Sequence, residues 1–191
     1  MDESTYNPAA RGGPLRQGEI LSSVEQYIVK ASDQGAEQPV DVKKKLHPFA
    51  VVLTQECDLA QDFVGRQDEV QFRLLIPNVM MCEVDLAENL RGDTDRVAKG
   101  TELWKRIIQN QTDRFQYLRA IAPEFDALGQ GVAALLVDFK RTFTLPTDGL
   151  YEQLQRVASR RAVLMSPYRE HLSSRHAHFT SRVALPLDHH A

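Results

Sequence analysis

The sequence predicts an α+β protein: a small, bent β-barrel with helical insertions, closed by a long C-terminal helix. Three observations point there. Residues 49–53, Phe-Ala-Val-Val-Leu, form an apolar, β-branched run suited to a strand covered on both faces. Shorter strand-like runs surround it, separated by polar loops. Ser166-Pro167 then opens a long amphipathic stretch, with Ser offering an N-cap oxygen and Pro a pre-set φ at the first helical position.

The elements follow in chain order. Residues 1–14 are polar, contain Pro8, Gly12, Gly13 and Pro14, and have no period that would bury them; they read as a disordered arm. Residues 19–30 carry Ile20, Tyr27, Ile28 and Val29 and read as a strand or hairpin, although Leu21, Val24 and Ile28 would equally share one helix face. Residues 31–45 are a loop by composition, closing on the triplet Lys43-Lys44-Lys45, which reads as a solvated tip. Residues 70–77 are a second core strand stopped by Pro77, 78–90 are ambiguous between strand and helix, and 91–100 are a polar loop.

Downstream, Trp104, Ile107, Ile108, Gln111, Phe115 and Leu118 make a stripe at helical spacing, with Thr101 as N-cap. Residues 132–145 are strand-like and end at Pro146; Thr147 or Asp148 then caps a helix over 149–158, and 162–165 form a last short strand. The terminal helix runs from 166 to 183 with Tyr168, Leu172, His176, Phe179 and Val183 facing inward. One globular domain over 15–185 follows, with a flexible tail over 186–191.

Composition narrows the function. The 191 residues hold 42% hydrophobic and 26% charged side chains, with no run long enough to cross a bilayer. Met1-Asp2-Glu3-Ser4 puts acid where a signal peptide carries base, so a cytoplasmic location with no membrane contact is expected. Cys57 and Cys82 are expected as free thiols or as ligands, not as a disulfide. They sit in no C-x-x-C pattern, so no metal is assigned. The absence of a Walker loop, a dinucleotide glycine pattern, G-x-S-x-G or H-E-x-x-H leaves no cofactor expected.

Two sets of residues stand out as candidate sites. The first follows the central strand: Gln55, Cys57 and Asp58 place an amide, a thiol and a carboxylate on a loop held by a rigid strand, a candidate catalytic set. Asp58 serves equally as the N-cap of a helix over 59–64, and Cys57 as a small buried hydrophobe. The second set is on the terminal helix, where His171, Arg175, His178 and Arg182 recur at helical spacing beside the apolar stripe. Residues 1–95 hold 9 Lys/Arg against 17 Asp/Glu and residues 96–191 hold 14 against 9. That asymmetry makes the stripe a candidate contact for nucleic acid or an acidic protein partner, or else one side of an internal acid–base match.

A resemblance can be attached to these segments. Gln17-Gly18-Glu19-Ile20-Leu21, then residues 49–54, then Phe72-Arg73-Leu74-Leu75-Ile76-Pro77, then Leu136-Val137-Asp138-Phe139 are similar in order and spacing to the strands of MazF/PemK-like proteins. The resemblance implies an SH3-like barrel of the kind used by toxin endoribonucleases and by non-catalytic relatives. Where that family usually places an arginine that helps to cleave RNA, this chain has His47-Pro48, so the fold is carried over and the catalytic residues are not. The expected function is a cytoplasmic binding module; the alternatives are a ribonuclease-like or metal-assisted hydrolase using residues 54–58, and a non-catalytic part of a toxin–antitoxin or phage-defence assembly. The segment V-x-x-T-Q-x-C-D also resembles uncharacterised bacterial proteins, which implies no activity.

Overall fold

In the computed structural model, which describes residues 5–30, 41–67, 75–97 and 100–182, one antiparallel sheet organises the chain. Its strands are β1 (Tyr6–Pro8), β2 (Glu19–Lys30), β3 (Asp41–Val52), β4 (Asn78–Leu86), β5 (Phe115–Leu118), β6 (Leu135–Pro146) and β7 (Ser159–Leu164). They pair in the order β1-β7-β2-β3-β4-β6-β5, leaving β1 and β5 as the two edges of an open sheet. The α+β class is as expected; the sheet is not a closed barrel. It curls all the same, since Tyr6 on one edge strand and Leu118 on the other join a single core cluster.

Among the described residues five α-helices cover the two faces: α1 (Glu56–Gln67), α2 (Ala87–Gly92), α3 (Thr101–Ile108), α4 (Thr147–Arg156) and α5 (Tyr168–Thr180). Alternation along the strands explains why both faces need cover. Ile20 and Val51 enter one cluster with Leu172 of α5, while Leu21, Ala50 and Val52 enter a second with Leu59 of α1 and Leu150 of α4. A third, smaller cluster packs α2 and α3 against Phe115 and Leu136. Among the described residues no helix is long and apolar enough to cross a membrane.

Several elements depart from the sequence expectations. Residues 5–14 are not a disordered arm: β1 pairs with β7, Tyr6 is buried, and Arg160 donates to the carbonyls of Ala10, Gly12, Gly13 and Pro14. Residues 41–45 are strand rather than loop, because each pairs with a β2 residue, from Gln26↔Lys45 to Lys30↔Asp41. The helix expected through Leu118 stops at Ile108; Asn110 adopts φ +57°, and Phe115 starts β5. Phe115 and Leu118 are three residues apart, so their spacing imitates a helical stripe while both belong to a strand.

The ambiguous stretch 78–90 divides into β4 and the start of α2. Helix α4 begins at Thr147 without a side-chain cap, the Thr147 hydroxyl donating instead to the Ile76 carbonyl. Helix α5 begins at Tyr168 with Pro167 in the capping position and no side-chain cap, so Ser166 does not act as expected. The expected strand over 70–77 falls mostly, and the tail over 186–191 wholly, outside the described residues.

Candidate functional site

The candidate catalytic set after β3 lies at the start of a helix. Helix α1 starts at Glu56, so Cys57 and Asp58 lie in its first turn, both exposed, and Gln55 is exposed just before it. Asp58 is therefore not the N-cap of a later helix, and Cys57 is not a buried hydrophobe. The Cys57 thiol donates to the Asp58 carboxylate at 3.6 Å. Cys82 is buried and donates to the Asp138 carbonyl at 2.9 Å; burial pushes its thiol pKa upward. Among the described residues no cluster of His, Cys, Asp and Glu is arranged to hold a metal ion. Two residues of this segment are engaged: Thr54, whose hydroxyl oxygen accepts from the Met80 N–H at 2.8 Å, and Glu56, which accepts from the Gln17 backbone N–H at 2.8 Å and pairs with Arg16 and Arg169.

The stripe on α5 is largely satisfied from within. Arg175 donates to three backbone carbonyls, those of Asn110 (2.7 Å), Thr112 (2.5 Å) and Phe115 (2.8 Å), and so fastens the turn before β5 to the helix. Asp113 in that turn faces both His178 and Arg182 at 3.9 Å. Arg182 also lies over the Phe179 ring at 3.8 Å. His171 remains exposed, with its pKa lowered by partial burial and by the Arg175 charge. Asp113 belongs to the 96–191 half, so these contacts do not pair the acidic half of the chain with the basic one.

A different group of charges forms a continuous constellation across β3, β4 and β6. Its foundation is two carboxylates set among apolar residues, Glu83 on β4 and Asp138 on β6. A buried carboxylate must be paired and hydrogen-bonded to remain charged. Asp138 is fully buried and takes a two-pronged contact from Arg114 (Nε–Oδ1 2.8 Å, Nη2–Oδ2 2.7 Å), with Arg96 at 3.3 Å and Arg141 at 3.7 Å. Glu83 takes Lys45, Arg141 at 3.1 Å, and His47 Nδ1 at 3.3 Å. Burial would raise both carboxyl pKa values, but hydrogen bonds from these cations overcome it and hold both below the usual range. Asp85 completes the chain by pairing with Arg96.

The acids lie underneath and the cations above. The side chains of Lys45 and Arg141 are 39% and 42% exposed, whereas those of Glu83 and Asp138 are 10% and 0% exposed. Each carboxylate thus fixes the heads of cations whose outer sides meet water, giving a pre-oriented row of positive charge. Lys43 lies two residues before Lys45 on the same strand face, and Lys140 adjoins Arg141; both are exposed.

His47 sits at the centre of this surface and is itself buried. Its ring stacks on Phe143 with centroids 3.9 Å apart, and its Nε2 faces the Gln26 side-chain oxygen at 3.1 Å. Both ring nitrogens therefore have protein partners. Beside the row, residues 24–30 and 41–47 extend beyond their pairing with β7 and β4 as a two-stranded ribbon. It exposes Tyr27, Val29, Val42 and Leu46 on the face opposite Lys43 and Lys45, and Ile28 on the same face as Lys43.

Comparison with protein-family models and with curated proteins finds no match. The reading of the surface rests on its own chemistry. Sequence reasoning passed over Glu83 and Asp138, although each is a lone acid in an apolar strand run, Met-Met-Cys-Glu-Val and Leu-Val-Asp-Phe. Such a residue announces buried cationic partners, whose identity emerges only once antiparallel pairing sets Glu83 against Ala50 on β3 and Val84 against Val137 on β6.

Proposed function

We propose that the protein is a binding module for a single-stranded polyanion, RNA in the first place, and that the row Lys43, Lys45, Arg141 and Lys140 is its contact surface. The observation that carries this reading is the layering of partly exposed cations over buried carboxylates. Guanidinium and ammonium groups held in place lose little freedom on meeting phosphate, and the exposed Ile28, cross-strand from Lys43, adds apolar surface on the same face. The terminal helix is given a supporting role in this reading, because Arg175 is committed to backbone carbonyls.

The MazF/PemK-like resemblance fits the same surface. His47 replaces the family's arginine, and it lies within the row rather than at the Thr54 to Asp58 segment. A ring nitrogen that is to act as base must reach the substrate proton. Both nitrogens of His47 are occupied, which favours binding without cleavage.

The test is fluorescence anisotropy with a short labelled single-stranded RNA at low salt. Wild type is compared with Lys43→Glu plus Lys140→Glu, two exposed positions whose replacement leaves Glu83 and Asp138 paired. The account expects at least tenfold weaker binding by the variant and intact RNA after incubation with wild type. Equal binding by the two proteins would end the reading, and RNA cleavage by wild type would replace it with the hydrolase alternative.

A further inference from the structure

At the β5 edge of the sheet, between that strand and the first turn of α5, lies a cavity of about 320 Å³. This is within the size range of small-ligand sites. Its lining includes Gln109, Gln116, Tyr117, Arg119, Tyr168 and His171. Two tyrosines, three side-chain amides with Asn110 as the third, and two cationic or titratable groups converge on one concavity, and no residue of the basic row lines it.

One of these groups lacks a partner. Gln116 is 2% exposed, yet its Oε1 meets no donor among the described residues. Buried acceptors are nearly always paired, so an unpaired one that borders a cavity needs an explanation. The nearby Asn110 amide shows the contrast: its Nδ2 donates to the Tyr117 carbonyl at 3.1 Å and its Oδ1 accepts from the Tyr117 N–H at 2.6 Å. That double contact braces the strand edge and leaves the Gln116 oxygen as the unused acceptor beside the cavity. At the rim, Arg119 and His171 are exposed, and the Arg119 backbone is anchored by the Tyr6 hydroxyl at 2.8 Å.

We infer that this cavity is a nucleobase site: it takes a base with an N–H donor on its edge, adenine being the simplest case, with the attached phosphate at the rim. The Gln116 oxygen accepts from the exocyclic amine. The tyrosines supply ring faces, against which any base stacks. Arg119 and His171 meet the phosphate. The ligand is either a free nucleotide or one base of a bound strand. The second source is within reach, because Arg114, which grips Asp138 beneath the row, precedes Tyr117 by three residues, about 10 Å along an extended chain.

Calorimetry on the full chain tests the site with 5′-AMP, N6,N6-dimethyl-AMP and ribose 5-phosphate. 5′-AMP is expected to bind at least about tenfold tighter than the dimethylated analogue, which lacks the donor, and ribose 5-phosphate is expected not to saturate the protein at about 1 mM. Gln116→Leu removes the unpaired acceptor at similar volume; it should keep the melting temperature and erase the difference between the two bases. Tyr168→Ala, at an exposed position, should weaken both.

Equal binding of ribose 5-phosphate and 5′-AMP, a preference that survives Gln116→Leu, or no binding of any nucleotide would overturn the inference. Lys43→Glu plus Lys140→Glu should leave 5′-AMP binding unchanged, so failure of the row and failure of this cavity read separately. Short oligo(rA) then separates the sources: a base drawn from a strand makes oligo(rA) binding sensitive to Gln116→Leu, and a free nucleotide leaves it insensitive.

Discussion

Replacing Asp138 by Asn probes the foundation of the basic row, because one buried carboxylate there orders three arginines. The carboxylate has no exposed surface and accepts from Arg114 at 2.8 and 2.7 Å and from the Lys140 N–H at 3.2 Å. Breaking a buried pair by removing one charge costs about 3–5 kcal/mol. Arg114 and Arg96 side chains retain 28% and 13% exposure, and Asn keeps one acceptor oxygen, so the lower end applies, about 3 kcal/mol. For a chain of 191 residues that lowers the melting temperature by about 6–12 °C.

The assay is differential scanning calorimetry at neutral pH, with Asp113→Asn as control. Asp113 meets its partners at 3.9 Å on the surface, so its loss should cost under about 0.5 kcal/mol. The pH dependence carries a definite sign. Asp138 binds its proton more weakly when folded, so its stabilisation is present above pH ~4 and fades as pH falls. Asp138→Asn should accordingly flatten the acid limb of the stability curve. A variant that melts within a degree or two of wild type, with the same acid limb, would refute the strut.

Other outcomes follow from single contacts. Arg175→Ala removes three charge-assisted bonds to carbonyls and should lower stability by about 1.5–3 kcal/mol, with faster amide exchange confined to residues 110–115. An exchange pattern unchanged there would contradict the staple. Thiol titration of the native protein should find Cys57 reactive and Cys82 protected until unfolding; two fast thiols would contradict the burial of Cys82. Asp58→Asn, at an exposed first-turn position, should change stability by under about 1 kcal/mol, and a larger loss would show a hidden contact.

The parts of the fold legible in the sequence were those with local signals. The apolar run before Thr54 yields the end of β3, the run broken by Pro146 yields β6, and the spacing of Leu172, His176 and Phe179 yields the inward face of α5, whose His176 and Phe179 rings lie 5.6 and 5.9 Å from the Phe139 ring. The ribbon was hidden because Asp41, Lys43, Lys44 and Lys45 are poor strand formers, held extended by their pairing with β2. The charged constellation was hidden for a related reason: Lys45, Glu83, Arg114, Asp138 and Arg141 come from four separated stretches and meet only through sheet register. Local pattern singled out Cys57 and Asp58 but could not place them in the exposed first turn of α1, since adjacency in sequence says nothing about what faces them.

The most direct measurement of the central claim is the salt dependence of RNA binding. For a single strand, log K falls with log salt at a slope of about −0.7 for each phosphate neutralised, so a row that engages three or four phosphates gives a slope of about −2 to −3. Lys43→Glu plus Lys140→Glu should make that slope shallower by more than one unit, while Arg182→Glu on α5 leaves it nearly unchanged. A slope insensitive to the row but flattened by Arg182→Glu would place the contact on the terminal helix and contradict the account.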